Sequence, residues 1–297
     1  PVLKAECPDL VLVHGDTSTA FTSALSAFYN KIPVGHVEAG LRSYDKWSPY
    51  PEEMNRRLIG PIADLHFIPT PMCREQLLRE NITEGLFVTG NTEIDAVGYT
   101  VKKDFEFPEE LAAKLDFSKR IIFVTAHRRE NLGEPLENIC RALARIAETF
   151  DDVQIVYLVH LNPAVRKTVN AILSGKERVL LTDPLPPVEA HNLLAKSYLI
   201  LTDSGGIQED APALKKPVLV LRRETERPEG IEAGTAKLAG TDEDTIFRMA
   251  SELLNDSAEY SRMASARNPY GDGKTSARIA DAILYHFGMG ERPEDYI

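Results

Sequence analysis

The sequence is poor in cysteine, in long apolar runs and in clusters of basic residues. Its three cysteines, Cys7, Cys73 and Cys140, form no C-x-x-C pair, which argues against a disulfide framework or a thiolate zinc site and favours a reducing cytoplasm. No stretch approaches the roughly 18 consecutive apolar residues of a membrane span, so we expect a soluble protein. Lys and Arg number 34 against 45 Asp and Glu, which excludes generic binding to nucleic acid or an anionic membrane.

What the sequence does contain is a regular alternation of short apolar runs and helix-like segments. Most of the apolar runs are unbroken, which is typical of parallel strands covered by helices on both faces. The pattern therefore predicts an α/β protein, and a length of 297 residues favours two domains. We predict strands at 10–14, 34–37, 66–68, 87–89, 121–125, 154–159, 179–181, 198–201 and 218–221. We predict helices at 18–30, 52–62, 73–80, 136–150, 163–173, 188–195, 207–214, 245–255 and 275–287.

The pattern changes to irregular, charged sequence between residues 100 and 120, where we place a domain boundary. We expect an N-terminal domain over 1–105, a second domain over 106–268, and a C-terminal helix over 269–297 that packs back on the first domain. The chain begins with Pro1 and enters a strand almost at once. Because a nucleotide-binding half usually has about five strands or more, we suspect that an N-terminal piece is missing.

Residues that follow parallel strands are candidates for a ligand site, because strand ends and helix N-termini converge there. Ser204, Gly205 and Gly206 follow a predicted strand and open a helix, so their amides could bind phosphate; a simple serine cap is the alternative. Arg227 lies in a charged segment after another strand and could hold a phosphate through its planar guanidinium, although such segments are often self-paired loops.

Carboxylates and imidazoles also follow predicted strands. Asp16 and Glu38 lie at two strand ends, and Glu52 opens a helix, where it could complete a carboxylate cluster around one sugar ring or merely cap the helix. His127 could transfer protons or bind a ligand, or it could be a buried loop histidine. The histidines form no H-E-x-x-H pattern, so we expect no catalytic metal.

The ordered motifs of the chain resemble the non-hydrolysing UDP-N-acetylglucosamine 2-epimerases over nearly the whole length. The resemblance rests on Val13-His14-Gly15-Asp16-Thr17, Gly35-His36-Val37-Glu38-Ala39-Gly40-Leu41-Arg42, Pro51-Glu52-Glu53-Met54-Asn55-Arg56, Thr89-Gly90-Asn91-Thr92, His127-Arg128-Arg129-Glu130-Asn131, His160-Leu161-Asn162-Pro163, Thr202-Asp203-Ser204-Gly205-Gly206-Ile207-Gln208-Glu209, Thr225-Glu226-Arg227-Pro228-Glu229 and Asn268-Pro269-Tyr270-Gly271-Asp272-Gly273. The family begins with a further strand and a Gly-Thr-Arg-Pro-Glu loop, which this sequence does not contain.

The resemblance implies two Rossmann-like doubly wound domains facing across a cleft, as in the GT-B glycosyltransferases. It implies reversible conversion of UDP-N-acetylglucosamine to UDP-N-acetylmannosamine, with elimination and re-addition of UDP through 2-acetamidoglucal and without a cofactor. We also expect a homodimer. The residues that match the family's functional positions fall into three sets: catalytic Asp16, Glu38, Glu52 and His127; nucleotide-binding Ser204, Gly205, Gly206, Arg227 and Asp210, the last where the family usually has a ribose-binding glutamate; and Arg128 and His160, which match contacts to an allosteric second UDP-N-acetylglucosamine.

Three other functions stay open at this point. A GT-B glycosyltransferase would pass the sugar to an acceptor, and a hydrolysing epimerase would release free N-acetylmannosamine. A nucleotide-sugar binding protein would bind without turnover. The products formed from UDP-N-acetylglucosamine distinguish all three from a non-hydrolysing epimerase.

Overall fold

The structure, a computed structural model, describes residues 1–297 and contains only parallel sheets. The strands are β1 Val11–His14, β2 Val34–Val37, β3 Leu65–Ile68, β4 Leu86–Val88, β5 Arg120–Thr125, β6 Val153–Leu158, β7 Val179–Thr182, β8 Leu199–Thr202, β9 Val218–Val220 and β10 Ala236–Leu238. The helices are α1 Val2–Glu6, α2 Ser18–Tyr29, α3 Glu52–Ile59, α4 Pro71–Arg79, α5 Thr92–Thr100, α6 Glu109–Ala112, α7 Glu134–Thr149, α8 Pro163–Leu173, α9 Pro187–Lys196, α10 Gly205–Ala213, α11 Pro228–Glu232, α12 Glu243–Asn255, α13 Ser257–Ser265 and α14 Thr275–His286, with a short 3-10 turn at Arg129–Asn131.

The chain divides into two compact units. The first consists of Pro1–Ala96 together with Pro269–Ile297, and the second consists of Val97–Asn268. Each unit has its own sheet and its own buried apolar clusters. None of the helices combines the length and the apolar composition that crossing a membrane requires.

The first unit is built on a four-stranded sheet in the order β1-β2-β3-β4. Every residue of β2 and β3 is buried, including one histidine in each strand, so both faces of these strands are covered. Helix α2 buries Ala20, Ala24 and Ala27 against one face of the sheet. Helix α14 buries Ile279 and Ala282 in a cluster that includes apolar residues of β2, β3 and β4 on the other face. Helices therefore cover both faces of this sheet.

The second unit has a six-stranded sheet in the order β10-β9-β8-β5-β6-β7. This order is that of the Rossmann fold. In that fold the direction of winding reverses between two neighbouring strands, which are the first and the fourth of the domain in chain order. Helices α7, α8 and α12 pack on one face, and α9 and α10 pack on the other. The reversal lies between β5 and β8, which are direct neighbours. Ligands of such sheets bind beyond the carboxyl ends of the strands at this point.

Every predicted strand is present, with ends that differ by one residue or so, but several elements were not predicted. Strand β10 is only three residues long and reads Ala-Lys-Leu, so it lacks the apolar run on which the strand predictions depended. Helix α5 contains Gly98 and β-branched residues, which have low helix propensity, and its fold depends on burial of Ile94 and Val97. Helices α1, α6, α11 and α13 were also not predicted, and the first three of these are only 5, 4 and 5 residues long.

Candidate active site

The first unit places two of the predicted carboxylates at the ends of neighbouring strands. Glu38 directly follows β2, and Asp16 lies two residues after β1. Gly15, which connects β1 to Asp16, has φ +67, and a Cβ at this position would lie 3.1 Å from Glu38 Oε2. Glycine is therefore needed here both for the backbone conformation and for the close approach of Glu38. The two carboxylates share one edge of the sheet.

Helix α3 holds Asp16 from two directions. Asn55 Nδ2 donates a hydrogen bond of 2.8 Å to the Asp16 carbonyl, and Arg56 forms an ion pair with the Asp16 carboxylate. Arg56 Nη1 also lies 3.6 Å from Glu53 Oε2. Because both Asn55 and Arg56 extend from the helix that Glu52 opens, the helix fixes Asp16 relative to its own first turn.

The adjacent Glu52 and Glu53 have different surroundings. Glu53 is fully buried, and its carboxylate accepts 3.0 Å hydrogen bonds from the amides of Ser43 and Tyr44. Glu52 is partly exposed, and no hydrogen bond or ion pair engages its carboxylate. Glu53 therefore anchors the preceding loop, whereas Glu52 can exchange a proton without breaking an internal contact.

A buried histidine supports the loop that carries Asp16. His36 on β2 is 1% exposed, and its Nε2 donates a 2.8 Å hydrogen bond to the Gly15 carbonyl. Burial lowers the pKa of His36 to about 4, so the ring is neutral at neutral pH. A neutral imidazole can hold this loop without adding a positive charge beside the carboxylates.

In the second unit, predicted site residues meet at the reversal point of the sheet. His127 and Arg128 follow β5, and Asp203 follows β8. The fully buried Asp203 carboxylate accepts hydrogen bonds at Oδ2 from the His127 amide at 2.7 Å, the Arg128 amide at 2.8 Å and Asn131 Nδ2 at 2.9 Å. The Asp203 amide donates to the Thr125 carbonyl at 3.1 Å, which ties the two strand ends together.

The imidazoles of His127 and His160 stack on each other. Their ring centroids are 5.0 Å apart and their planes differ by 9°. His160 follows β6, the neighbour of β5, and its Nδ1 accepts a hydrogen bond from the Asn162 amide at 3.1 Å. Burial lowers the pKa of His127, and the negative charge of Asp203 acts against this change.

The Ser-Gly-Gly segment lies at the N-terminus of α10 and has arginines beside it. Ser204 occupies the N-cap position without a side-chain capping hydrogen bond, and its amide donates to Thr202 Oγ1 at 3.0 Å. A Cβ on Gly205 would lie 3.7 Å from Arg128 Nη2 and 3.9 Å from Arg227 Nη2. Free helix amides and two guanidinium groups next to a bare backbone are the features of a phosphate site.

Both arginines also have acidic neighbours within the second unit. Arg227 forms an ion pair with the buried Glu209, and Arg128 Nη2 lies 3.3 Å from Glu226 Oε1. Asp210, the predicted ribose ligand, is buried in α10 with Oδ2 at 3.7 Å from His191 Nε2. Its predicted role stays a prediction.

The structure also assigns contacts to residues that the sequence did not single out as site residues. These are Asn55 and Arg56 beside Asp16, and Asp203 and Asn131 beside His127. Asp203 carried a usable signal, since it is an aspartate directly after a fully buried strand. Asn55 and Arg56 lie in one of the motifs that carry the resemblance, but nothing in the sequence indicated their pairing with Asp16, which lies about 40 residues earlier in the chain.

Comparisons with known proteins show which family the chain resembles. The family model described as UDP-N-acetylglucosamine 2-epimerase matches residues 1–284. The UDP-N-acetylglucosamine 2-epimerase of Bacillus subtilis is 54% identical over 97% of this chain and 76% of its own length. The solved structure of Staphylococcus aureus MnaA with UDP is 51% identical, with a TM-score of 0.92 over 100% of this chain and 81% of that one. The Neisseria meningitidis UDP-GlcNAc 2-epimerase, solved with UDP-GlcNAc bound, is 43% identical, with a TM-score of 0.84 over 96% of this chain and 78% of that one. The chain therefore belongs to the UDP-N-acetylglucosamine 2-epimerase family, whose structures have the GT-B-like fold.

Proposed function

We propose that this chain interconverts UDP-N-acetylglucosamine and UDP-N-acetylmannosamine by elimination and re-addition of UDP. The observation that carries the proposal is the carboxylate arrangement of the first unit, where α3 holds Asp16 at a strand end and begins with the unengaged Glu52. Family membership supports it, as do the UDP and UDP-GlcNAc bound to the related structures.

In the proposed reaction a base removes the proton from C2 of the sugar while the bond between C1 and the UDP oxygen breaks. The products of this step are 2-acetamidoglucal and UDP, and the proton resides on the base. UDP then adds back at C1, and a proton returns to C2 from the opposite face. Two proton-transfer groups on opposite faces of one sugar ring are therefore needed, and a carboxylate suits each task.

We assign the proton-transfer roles to Asp16, Glu38 and Glu52. Glu52 is suited to exchanging a proton, because no internal partner holds its carboxylate. Asp16 is positioned by Asn55 and Arg56, so its carboxylate has a defined orientation at the strand end. We assign to His127 a further role as proton-transfer group or hydrogen-bond partner of the ligand.

We assign the UDP diphosphate to the N-terminus of α10. Gly205 and Gly206 supply backbone amides there, Ser204 supplies its hydroxyl, and Arg227 supplies positive charge. Asp210 is proposed for the ribose, and Arg128 with His160 for a second, allosteric UDP-N-acetylglucosamine. Homodimer formation also stays a prediction, which light scattering after size-exclusion chromatography would test.

Proton NMR of UDP-N-acetylglucosamine incubated with the protein in D2O tests the proposed function. We expect UDP-N-acetylmannosamine to appear with deuterium at C2, since the abstracted proton exchanges with solvent. Free N-acetylmannosamine and UDP would instead indicate a hydrolysing epimerase. A substrate that remains unchanged and undeuterated would contradict the proposal.

A further inference from the structure

The two carboxylate oxygens of Asp203 differ in their hydrogen bonding. Its side chain is fully buried, and Oδ2 accepts all three of its donors, from the His127 and Arg128 amides and from Asn131. The other oxygen, Oδ1, is buried without a hydrogen-bond partner. A buried carboxylate oxygen without a donor is costly, so a nearby donor is expected.

The side chain of His127 lies within reach of this oxygen. His127 Nδ1 lies 3.4 Å from Asp203 Oδ1. A small rotation of the His127 ring would bring Nδ1 and Oδ1 into hydrogen-bonding geometry. In enzymes such contacts often tighten only when the ligand binds. Because a carboxylate can only accept hydrogen bonds, its partner Nδ1 has to carry the proton.

We infer that Asp203 is a positioning residue for His127, which fixes the ring as the Nδ1-protonated tautomer and leaves Nε2 as the nitrogen available to the substrate. The inference rests on the proposed function for its catalytic consequence. The tautomer of His127 does not depend on the proposed function and can be tested separately.

The surroundings of His127 favour a neutral ring beside Asp203. The groups of the second unit that act on it are Asp203, His160, Arg128 and Glu130. Burial lowers the pKa of His127, while the Asp203 carboxylate favours the protonated ring. At neutral pH the ring then carries a single proton, and Asp203 decides which nitrogen holds it.

The variant Asp203→Asn reverses this arrangement with little change in shape. The amide oxygen can replace Oδ2 and keep its three donors, and the amide NH2 then faces His127 Nδ1. Since an NH2 group donates, Nδ1 has to accept and the proton moves to Nε2. Asp242→Asn is the matched control, because Asp242 also accepts a backbone amide hydrogen bond in this unit, from Thr245 at 2.9 Å.

The first measurement is the 15N NMR spectrum of His127 at neutral pH, assigned by comparison with His127→Gln. We expect Nδ1–H in the native protein and in Asp242→Asn, and Nε2–H in Asp203→Asn. We also expect His127 to titrate at lower pH in Asp203→Asn, because the variant loses the charge that favours the protonated ring. An Nε2–H tautomer in the native protein would overturn the inference even if Asp203→Asn did not fold.

The second measurement is a double-mutant cycle on turnover. We expect Asp203→Asn to lower kcat by about 10²-fold with KM nearly unchanged, and to have no further effect in a His127→Gln background. Independent, multiplicative losses would show that Asp203 does not act through His127. Absence of epimerisation by the native protein would contradict the proposed function, while the NMR spectrum would still decide the tautomer.

Discussion

Arg56 forms an ion pair with the Asp16 carboxylate, and the neighbouring Asn55 donates a hydrogen bond to the Asp16 carbonyl. One turn of helix α3 therefore fixes the loop that follows β1. The same helix begins with Glu52. A shift of α3 would therefore move both carboxylates together. Precise relative placement of catalytic groups matters because small displacements cost large factors in rate.

This arrangement predicts that the catalytic and structural contributions of Asp16 can be separated. Asp16→Asn should lower turnover by roughly 10²–10⁴-fold and the free energy of unfolding by about 1–2 kcal/mol, because the Arg56 guanidinium loses one of its two charged partners. Adding Arg56→Met should cost less stability than the sum of the single changes, since each removes the same ion pair. Urea unfolding and the NMR assay measure the two effects. Recovery of turnover in the double variant would show that Asp16 acts only as the partner of Arg56.

The adjacent glutamates of α3 should respond differently to the same substitution. Glu52→Gln should lower turnover by roughly 10²–10⁴-fold and change the free energy of unfolding by less than about 1 kcal/mol, because its carboxylate has no internal partner. Glu53→Gln should cost about 1–3 kcal/mol, since its carboxylate accepts two backbone amides and an amide group cannot replace both acceptors. Normal turnover in Glu52→Gln would return this residue to a helix-capping role.

The glycines of α10 allow a test of UDP binding that spares the fold. A Cβ on Gly206 would meet no atom within 4 Å, so Gly206→Ala should keep or raise the thermal stability of the free protein. If the diphosphate contacts this backbone, the methyl group should weaken UDP binding by about tenfold or more. Gly98→Ala in α5 is the matched control, because a Cβ there also meets no atom within 4 Å.

UDP-dependent thermal shifts provide the readout for these glycine variants. UDP at about 100 times its dissociation constant should stabilise the native protein by about 2.7 kcal/mol. We expect Gly98→Ala to keep this shift and Gly206→Ala to lose about half of it or more at the same UDP concentration, since a tenfold weaker affinity leaves about 1.4 kcal/mol. Equal shifts in both variants would place the diphosphate elsewhere.

Two buried histidines predict how the stability of the first unit depends on pH. Burial lowers the pKa of His36 and of His66 from 6.5 to about 4. Between these values the unfolded chain binds protons that the folded unit does not, so stability should fall as pH drops from 6.5 to 4 and should be flat with respect to these groups above 6.5. The loss is on the order of 3 kcal/mol for each histidine.

Urea unfolding followed by circular dichroism at several pH values measures this dependence. His66→Asn should reduce the slope between pH 6.5 and 4, because one of the two lowered pKa values is removed. An unchanged slope would mean that His66 is not buried as a neutral ring.

The elements and the family could be predicted from the sequence because their signals are local. Parallel strands that are buried on both faces often appear as unbroken apolar runs, and β4 and β9 are of this kind. The candidate residues Asp16, Glu38 and His127 could be found because strand ends in such sheets are where ligands bind. Strand β10 could not be found, because three residues with a partly exposed lysine carry no such pattern.

The partners of these residues were decided only by the tertiary structure. Arg56 lies 40 residues after Asp16, and Asp203 lies 76 residues after His127, so no local pattern relates either pair. Parallel pairing of β5 with β8 brings their carboxyl ends side by side whatever the length of chain between them. The sequence by itself determined which side chains follow the strands. Sheet order decided which of them meet, because hydrogen bonds and ion pairs depend on distance in space rather than on separation along the chain.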